Sequence, residues 1–286
     1  MRNSIILVIS VFVFFALQAQ PSPQSKKITK KFFPDSESLL PVTPALKKKR
    51  GYTNYKELIS FINDLKESHP SVVSIKYIGE SQKGYKIPVI QIKTISDSEK
   101  IKIWMQAGLH GNEPAGTEGL LYYMHSILNN NSYADLLEGV DLLILPMANI
   151  DGYLKDNRYA ANGLDLNRDQ TKLMAPETRL IKKVFCEFNA HVGLDFHEYR
   201  PYRKDFAQLS DFGITSAYDT MFLYSGNLNV PEKIRAYTKN KFVKNVEVTL
   251  NDLGISNREY LTSEKVLGDI HFNQGSNNSR SSATSF

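Results

Sequence analysis

The chain of 286 residues is long enough for one large domain with a full hydrophobic core, and its composition, 42% hydrophobic and 23% charged, is that of a globular protein. Its formal net charge of +5 is concentrated near the N-terminus, because residues 20–50 carry +6 and residues 51–286 carry −2. A basic tail ahead of a mildly acidic body argues against a nucleic-acid-binding domain, which places its charge on one folded face.

The N-terminus has the three-part pattern of a secretory signal peptide. Arg2 precedes an apolar run from Ile5 to Leu17, and the small residue Ala19 follows it. The run is too short to span a bilayer, which takes about 20 residues. We therefore predict a signal peptide at 1–19, export to a bacterial periplasm or the medium, and no stable membrane insertion after cleavage. An uncleaved anchor is the alternative.

Residues 20–50 are rich in Pro, Ser and Lys, which predicts a basic linker or pro-segment with little packed structure. The KKKR run at 47–50 is interpreted as a solvated charge run, with a processing site as the alternative. The predicted folded domain is residues 51–286, and we expect it to be a monomer. Cys186 is the chain's single cysteine, so no intrachain disulfide is possible.

The folded domain alternates helical and extended patterns, which predicts an α/β sheet covered on both faces. Asn54 is a good cap for a first helix that ends before Pro70. Later elements follow in order: strands at 72–78 and 87–92, a strand from Ile101, a helix from Pro114, a buried strand at 140–145, a helix at 176–188 and a strand at 192–196. Cys186 is expected to be a small buried hydrophobe of the helix at 176–188.

The stretch MQAGLHGNEPAGTEGLL, residues 105–121, places His110 and Glu113 where a strand gives way to a helix. His197 ends a second predicted strand, and the ends of parallel neighbours meet at one sheet edge. Two His and one Glu are a ligand set of catalytic zinc, which keeps an open position for water. We therefore predict one Zn²⁺ per chain, with Asp195 or Glu198 available to orient a ligand.

The polar loop from Asn149 to Asp169 is long enough to indicate a function. Asn167 and Arg168 are candidates for a carboxylate clamp, since a guanidinium pairs with a carboxylate through two parallel hydrogen bonds. Arg158 is a candidate for stabilising an oxyanion. The alternative is that both arginines are solvated or form structural ion pairs with Asp165 and Asp169.

The ordered motifs GLHGNEPAGTEG, NIDGY, NGLDLNRD and DFHE, together with residues 51–92, resemble the zinc carboxypeptidase family of carboxypeptidase A/B type over about 51–199. The resemblance implies a three-layer α/β/α sandwich with a mixed, mostly parallel, eight-stranded sheet. It implies zinc ligation by His110, Glu113 and His197, a clamp for the substrate carboxylate at Asn167 and Arg168, and a catalytic Arg158. Arg200 and Arg203 compete with Arg158 for the last role.

The family's general base, a Glu on a late strand, has no counterpart that we can assign. Glu247, Glu259 and Glu264 are expected in helix or helix-flanking loop, and Glu198 should point away from the metal, because successive strand side chains alternate. We therefore expect a domain that lacks its last strand and helix.

The leading hypothesis is a peptidase that acts on peptides or small amides with a free C-terminal carboxylate. The alternatives are a zinc amidohydrolase for cell-wall peptide or acyl-amino acids, and an inactive zinc- and peptide-binding module.

Overall fold

The computed structural model describes residues 25–32, 39–96, 98–199, 206, 209, 218–224 and 227–274. The predicted signal peptide, Arg200 and Arg203 lie outside these residues. The chain divides into two compact units, residues 1–41 and 42–286, and the first contains the short helix α1 (Lys26–Phe32). No helix within the described ranges combines the length and the apolar composition that a bilayer crossing requires.

A five-stranded sheet organises the second unit. Its strands are β1 (Val73–Glu80), β2 (Lys86–Lys93), β3 (Ile101–Ala107), β4 (Val140–Leu145) and β5 (Val192–Phe196). They lie in the order β1-β2-β4-β3-β5. β2 pairs antiparallel with β1 and β4, whereas β3 pairs parallel with β4 and β5.

The sheet is mixed, as predicted. Within this sheet β1, β3, β4 and β5 run in one direction and β2 runs against them, so its described strands are mostly parallel, as expected, although the resemblance implies eight strands and this sheet has five described ones. The reversal at β2 is local: a tight turn over residues 81–85 joins β1 to β2, and such a turn connects only antiparallel neighbours.

Helices precede or connect these strands: α2 (Pro44–Lys47), α3 (Tyr55–Ser68), α4 (Pro114–Asn129), α5 (Ala134–Gly139), α6 (Ile150–Tyr153) and α7 (Pro176–Phe188). The predicted N-cap of α3 is confirmed as a capping box. The Asn54 side chain accepts the Glu57 amide at 3.1 Å, and the Glu57 carboxylate accepts the Asn54 amide at 2.7 Å. Such a cap contributes about 1 kcal/mol to stability.

Helices cover both faces of the sheet. Trp104 of β3 packs edge-on against Phe185 of α7, with ring centroids 5.7 Å apart. Ala107, three positions later, faces the opposite side of the sheet. A Cβ added at Gly116 of α4 would lie 3.1 Å from the Ala107 Cβ, so α4 packs closely on that face. Every residue of β4 is buried. These contacts confirm the three-layer α/β/α arrangement.

Part of the segment 20–50 is packed, contrary to the expectation of little structure. Thr43 is 1% exposed and caps α2, where it accepts the Leu46 amide at 3.4 Å. Lys48, within the KKKR run, forms an ion pair of 2.6 Å with Glu57 of α3. This packed part of the segment belongs to the second unit, which begins at Val42.

The expected burial of Cys186 is wrong, because its side chain is exposed. The buried side of α7 is formed by Thr178, Ile181 and Val184, which are spaced three apart. Cys186 follows Val184 by two positions and therefore lies on another side of the helix.

Beyond β5 the described residues form further elements: β6 (Thr220–Phe222), α8 (Glu232–Tyr237), a π-helix (Thr238–Val243), α9 (Lys244–Asp252), β7 (Asn257–Glu259), β8 (Leu261–Val266) and β9 (Asp269–Gln274). Among these, β6 pairs with β7 and β8 with β9, in two small sheets. Glu247 lies in a helix, as expected. The same expectation is wrong for Glu259 in β7, which pairs with β6, and for Glu264 in β8, which a turn at Gly268, with φ of +99°, folds into a hairpin with β9.

Candidate metal centre

The turn after β3 positions His110 and Glu113. Its backbone is bonded to the chain after β4, since the amides of Ala148 and Asn149 donate to Ala107 and Gly108 at 3.0 and 2.9 Å. Gly108 has a φ of +68°, which favours glycine. Glu113 immediately precedes α4, whose first residue is Pro114. The turn is therefore held at the C-terminal edge of the sheet.

His197 reaches the same edge from β5. Because β5 pairs parallel with β3, with Phe196 opposite Ala107, the chain leaves both strands side by side. His197 Nδ1 lies 2.8 Å from Glu113 Oε2, and His110 Nδ1 lies 2.9 Å from Glu113 Oε1. One ligand atom from each of the three residues lies within 4.8 Å of the others. The structure thus brings the three predicted ligands together.

Both imidazole rings are held from behind by carboxylates. His110 Nε2 lies 3.1 Å from Asp165, and His197 Nε2 lies 2.9 Å from Asp195. When a metal ion is bound, a proton on each Nε2 leaves each Nδ1 free to ligate it; without the ion, an Nδ1 proton can instead donate to Glu113. Two such nitrogens and one carboxylate fit the donor set of a catalytic zinc ion.

Of the two residues expected to orient a ligand, Asp195 contacts His197 with its carboxylate, whereas Glu198 contacts Glu113 Oε2 only through its backbone amide, at 3.2 Å. Glu198 Oε2 accepts the backbone amide of Ala115 at 3.0 Å, at the start of α4. Its side chain therefore lies on the α4 side of the strand end, in agreement with the predicted alternation.

The electrostatics of the centre favour ionised carboxylates and positively charged partners. Burial raises the pKa of Glu113, but hydrogen bonds from His110 and His197 outweigh burial and lower the pKa to about 2. Burial likewise raises the pKa of Asp165, and His110 and Arg158 bring that pKa well below its usual range. Burial lowers the pKa of His197, whereas the charges of Asp195 and Glu113 raise it to about 10. The site therefore favours a bound positive charge.

Arg158 lies beside this centre. Its guanidinium donates to Asp165 Oδ2 from Nε at 3.1 Å and from Nη2 at 2.9 Å, and Nη1 lies 3.5 Å from Glu113. The alternative of an ion pair with Asp165 is therefore observed, and the same pair holds the cationic group next to the predicted metal ligands. Asp169 instead accepts the amides of Met174 and Ala175.

The predicted carboxylate clamp lies on a short 3₁₀ turn, Leu166–Arg168, capped by Asp165. Asn167 Nδ2 is 3.5 Å from His197 Nε2, so its amide borders the metal cluster. Arg168 is exposed, and its guanidinium donates to the Asn167 carbonyl at 3.2 Å.

Two residues of the centre were missed as functional candidates. Asp165 had been considered only as an ion-pair partner, although its position two residues before Asn167 placed it in the same loop. Asn149 is fully buried and donates to the carbonyls of Leu109 and Arg158 at 3.4 and 3.3 Å. It joins the metal turn to the arginine loop. A single Asn in a predicted turn does not indicate that its side chain connects two distant loops.

Comparison with known proteins is consistent with this geometry. A family model described as zinc carboxypeptidase matches residues 58–217. Carboxypeptidase 2 of Trichophyton rubrum is 35% identical over 190 residues, which cover 64% of this chain and 35% of that protein. Carboxypeptidase 2 of Trichophyton equinum is 33% identical over 219 residues, covering 74% of this chain and 40% of that protein. This chain therefore spans about two fifths of the length of these curated relatives.

The fold has solved counterparts. The crystal structure of carboxypeptidase A from Helicoverpa armigera matches with a TM-score of 0.57 and 21% identity, covering 72% of this chain and 57% of that one. The family model covers more than half of this chain, and the second relative matches nearly three quarters of it. The resemblance found in the sequence is confirmed, and the chain belongs to the zinc carboxypeptidase family.

Proposed function

We propose that this protein is a zinc-dependent carboxypeptidase that removes C-terminal residues from peptides, with one Zn²⁺ held by His110, Glu113 and His197. The observation that carries the proposal is the convergence of these side chains, each imidazole held from behind by a carboxylate. Bound zinc supplies a Lewis acid that polarises the scissile carbonyl and lowers the pKa of a water molecule.

The surrounding residues provide the remaining binding functions. Arg158, 3.5 Å from Glu113, is placed to stabilise negative charge that develops on the carbonyl oxygen. Asn167 borders His197, and the exposed guanidinium of Arg168 is its neighbour along the chain. A peptide whose terminal carboxylate binds these two residues presents its last peptide bond to the metal cluster, which restricts cleavage to the C-terminus.

The domain organisation and location form part of the same proposal. Residues 1–19 act as a signal peptide, residues 20–50 as a linker or pro-segment, and residues 51–286 as the carboxypeptidase-like domain of an exported monomer. Export to a bacterial periplasm or the medium is supported by the N-terminal sequence pattern.

The test combines metal content with a choice of substrates. The purified chain should contain one Zn²⁺, and a chelator should abolish turnover that added Zn²⁺ restores. A peptide with a free C-terminus should be cleaved, whereas the same peptide amidated at its C-terminus should not. Equal hydrolysis of both peptides would contradict the carboxylate clamp. Stoichiometric zinc and peptide binding without chelator-sensitive turnover would favour the inactive binding module.

Arg168→Ala should raise KM about 10-fold or more, because removing a charged hydrogen-bond partner of a carboxylate costs about 1.5–3 kcal/mol. Lys172→Ala is the matched control, since Lys172 is an exposed cation four positions further along the chain. An unchanged KM in Arg168→Ala would remove Arg168 from the substrate site.

A further inference from the structure

Gln106 is a fully buried polar residue of β3 close to the metal centre. Its Oε1 accepts a hydrogen bond from the indole Nε1 of Trp104 at 2.9 Å. An indole N–H donates and never accepts, so the amide oxygen of Gln106 must face Trp104. The orientation of the amide is therefore fixed, and its nitrogen points away from the indole.

That nitrogen is a buried donor, and among the described residues no acceptor lies within hydrogen-bond distance of it. Leaving such a group unsatisfied costs about 1–3 kcal/mol, so native proteins supply a partner or an ordered water. The Nε2 amide group of Gln106 is thus available to donate a hydrogen bond on this face of the sheet.

The neighbouring strand places Asp195 opposite it. Gln106 and Asp195 are register partners in the parallel β3–β5 pair, so their side chains share one face and start about 4.8 Å apart. Asp195 Oδ2 in turn lies 2.9 Å from His197 Nε2. Gln106 therefore lies on the neighbouring strand, next to the Asp195 carboxylate that contacts His197.

We propose that Gln106 is a positioning residue for the metal centre, whose amide donates to the Asp195 carboxylate, directly or through one buried water. A hydrogen-bond chain then runs from Trp104 through Gln106 and Asp195 to His197. The inference rests on the proposed role of His197 as a metal ligand.

His197 is the ligand that most needs such support. Its side chain is 27% exposed, compared with 4% for His110 and 12% for Glu113. It also follows β5, which lies at the edge of the described sheet. The carboxylate behind His110 accepts from the Arg158 guanidinium. In the proposal, the Gln106 amide is a comparable donor to the carboxylate behind His197.

The test measures metal affinity in the absence of substrate. Gln106→Leu should bind Zn²⁺ about 10-fold more weakly in competition with a chelator, because outer partners of metal ligands are worth about 10–100-fold in affinity. Gln91→Leu is the matched control: Gln91 lies on the same sheet and donates to Asp141 of the next strand at 2.8 Å, away from the metal residues. Its affinity should equal that of the parent chain.

A double-mutant cycle separates this role from general destabilisation. In an Asp195→Ala background, Gln106→Leu should cause no further loss of Zn²⁺ affinity, since its effect passes through Asp195. Trp104→Phe, which keeps an aromatic ring but removes the indole donor, should reproduce part of the loss and should change the visible spectrum of the Co²⁺-substituted protein. It is the test variant if Gln106→Leu does not fold.

Affinity within twofold of the parent in Gln106→Leu, or an equal loss in Gln91→Leu, would overturn the inference while leaving the proposed function intact. A parent chain that binds no Zn²⁺ would overturn the proposed function and the inference together.

Discussion

His110 and His197, 87 positions apart in the chain, present the same ring nitrogen to each other, with Nδ1 atoms 3.1 Å apart. Their ring centroids are 4.7 Å apart, and Glu113 places one carboxylate oxygen on each nitrogen. Two ring nitrogens this close need a positive charge between them, which either a shared proton or a bound metal ion supplies. The groups that hold the two rings in place should therefore determine how well the site binds a cation.

The same Asp→Asn substitution should weaken Zn²⁺ binding at Asp165 and lower the stability of the fold at Asp169. Asp165→Asn removes the charge behind His110 and should weaken Zn²⁺ binding about 10–100-fold. Asp169→Asn replaces one of the two oxygens that accept backbone amides with an NH2 donor, and it should lower the free energy of unfolding by about 1–3 kcal/mol while Zn²⁺ affinity is retained. Chelator competition and urea unfolding measure the two effects. Equal Zn²⁺ affinities in the two variants would contradict the assignment of Asp165.

Arg158→Ala should lower kcat about 100-fold or more and change KM much less, because the guanidinium acts on charge that develops in the transition state. Steady-state kinetics on a peptide with a free C-terminus measure both constants. Lys155→Ala, an exposed cation of the same loop, is the control and should leave both constants unchanged. A rise in KM with unchanged kcat would instead assign Arg158 to ground-state substrate binding.

Glu198→Gln should leave kcat within about twofold of the parent, since the Glu198 carboxylate accepts the Ala115 amide instead of facing the ligand cluster. Loss of a negative charge at the start of α4 should lower the free energy of unfolding by about 0.3–1 kcal/mol. Kinetics and urea unfolding test the two expectations. A 100-fold fall in kcat would identify Glu198 as the general base.

Gly111→Ala should disrupt the metal turn. A Cβ at Gly111 would lie 2.1 Å from the carbonyl carbon of Gly152, so the two backbones would have to separate. We expect a loss of several kcal/mol in unfolding free energy and of Zn²⁺ binding. In Gly119→Ala the new Cβ meets open space on α4, and stability should rise by about 0.5–1 kcal/mol. Calorimetry of both variants tests this contrast.

The sequence predicted best where the local pattern and the tertiary environment agree. β4, β5 and α7 have the predicted bounds, because a continuous apolar run, a short strand and an amphipathic helix each leave one stable arrangement. The grouping of His110, Glu113 and His197 was also predicted, since strand ends of a parallel pair must meet at one edge. The hairpin of β8 and β9 was missed, because its sequence lacks a strong apolar alternation.

Orientation around a helix or loop was harder to predict. Cys186 was placed on the wrong side of α7, since periodicity gives an approximate apolar arc and the boundary of that arc depends on the packed sheet. Asp165 and Asn149 act through contacts with residues 55 and 40 positions away, respectively, and no local pattern encodes such contacts. Long-range polar pairing therefore required the structure.

The bonds of Asn149 tie the segment that carries Arg158 to the carbonyl next to His110, and Gly111 abuts Gly152. These two segments cannot open separately, so we expect them to exchange their amide hydrogens as one cooperative unit. Zinc binding should then slow deuterium uptake at residues 149–158 as strongly as at 108–113, although the metal contacts only the latter. The loop that holds the arginine would thus be stabilised by an ion that it does not bind.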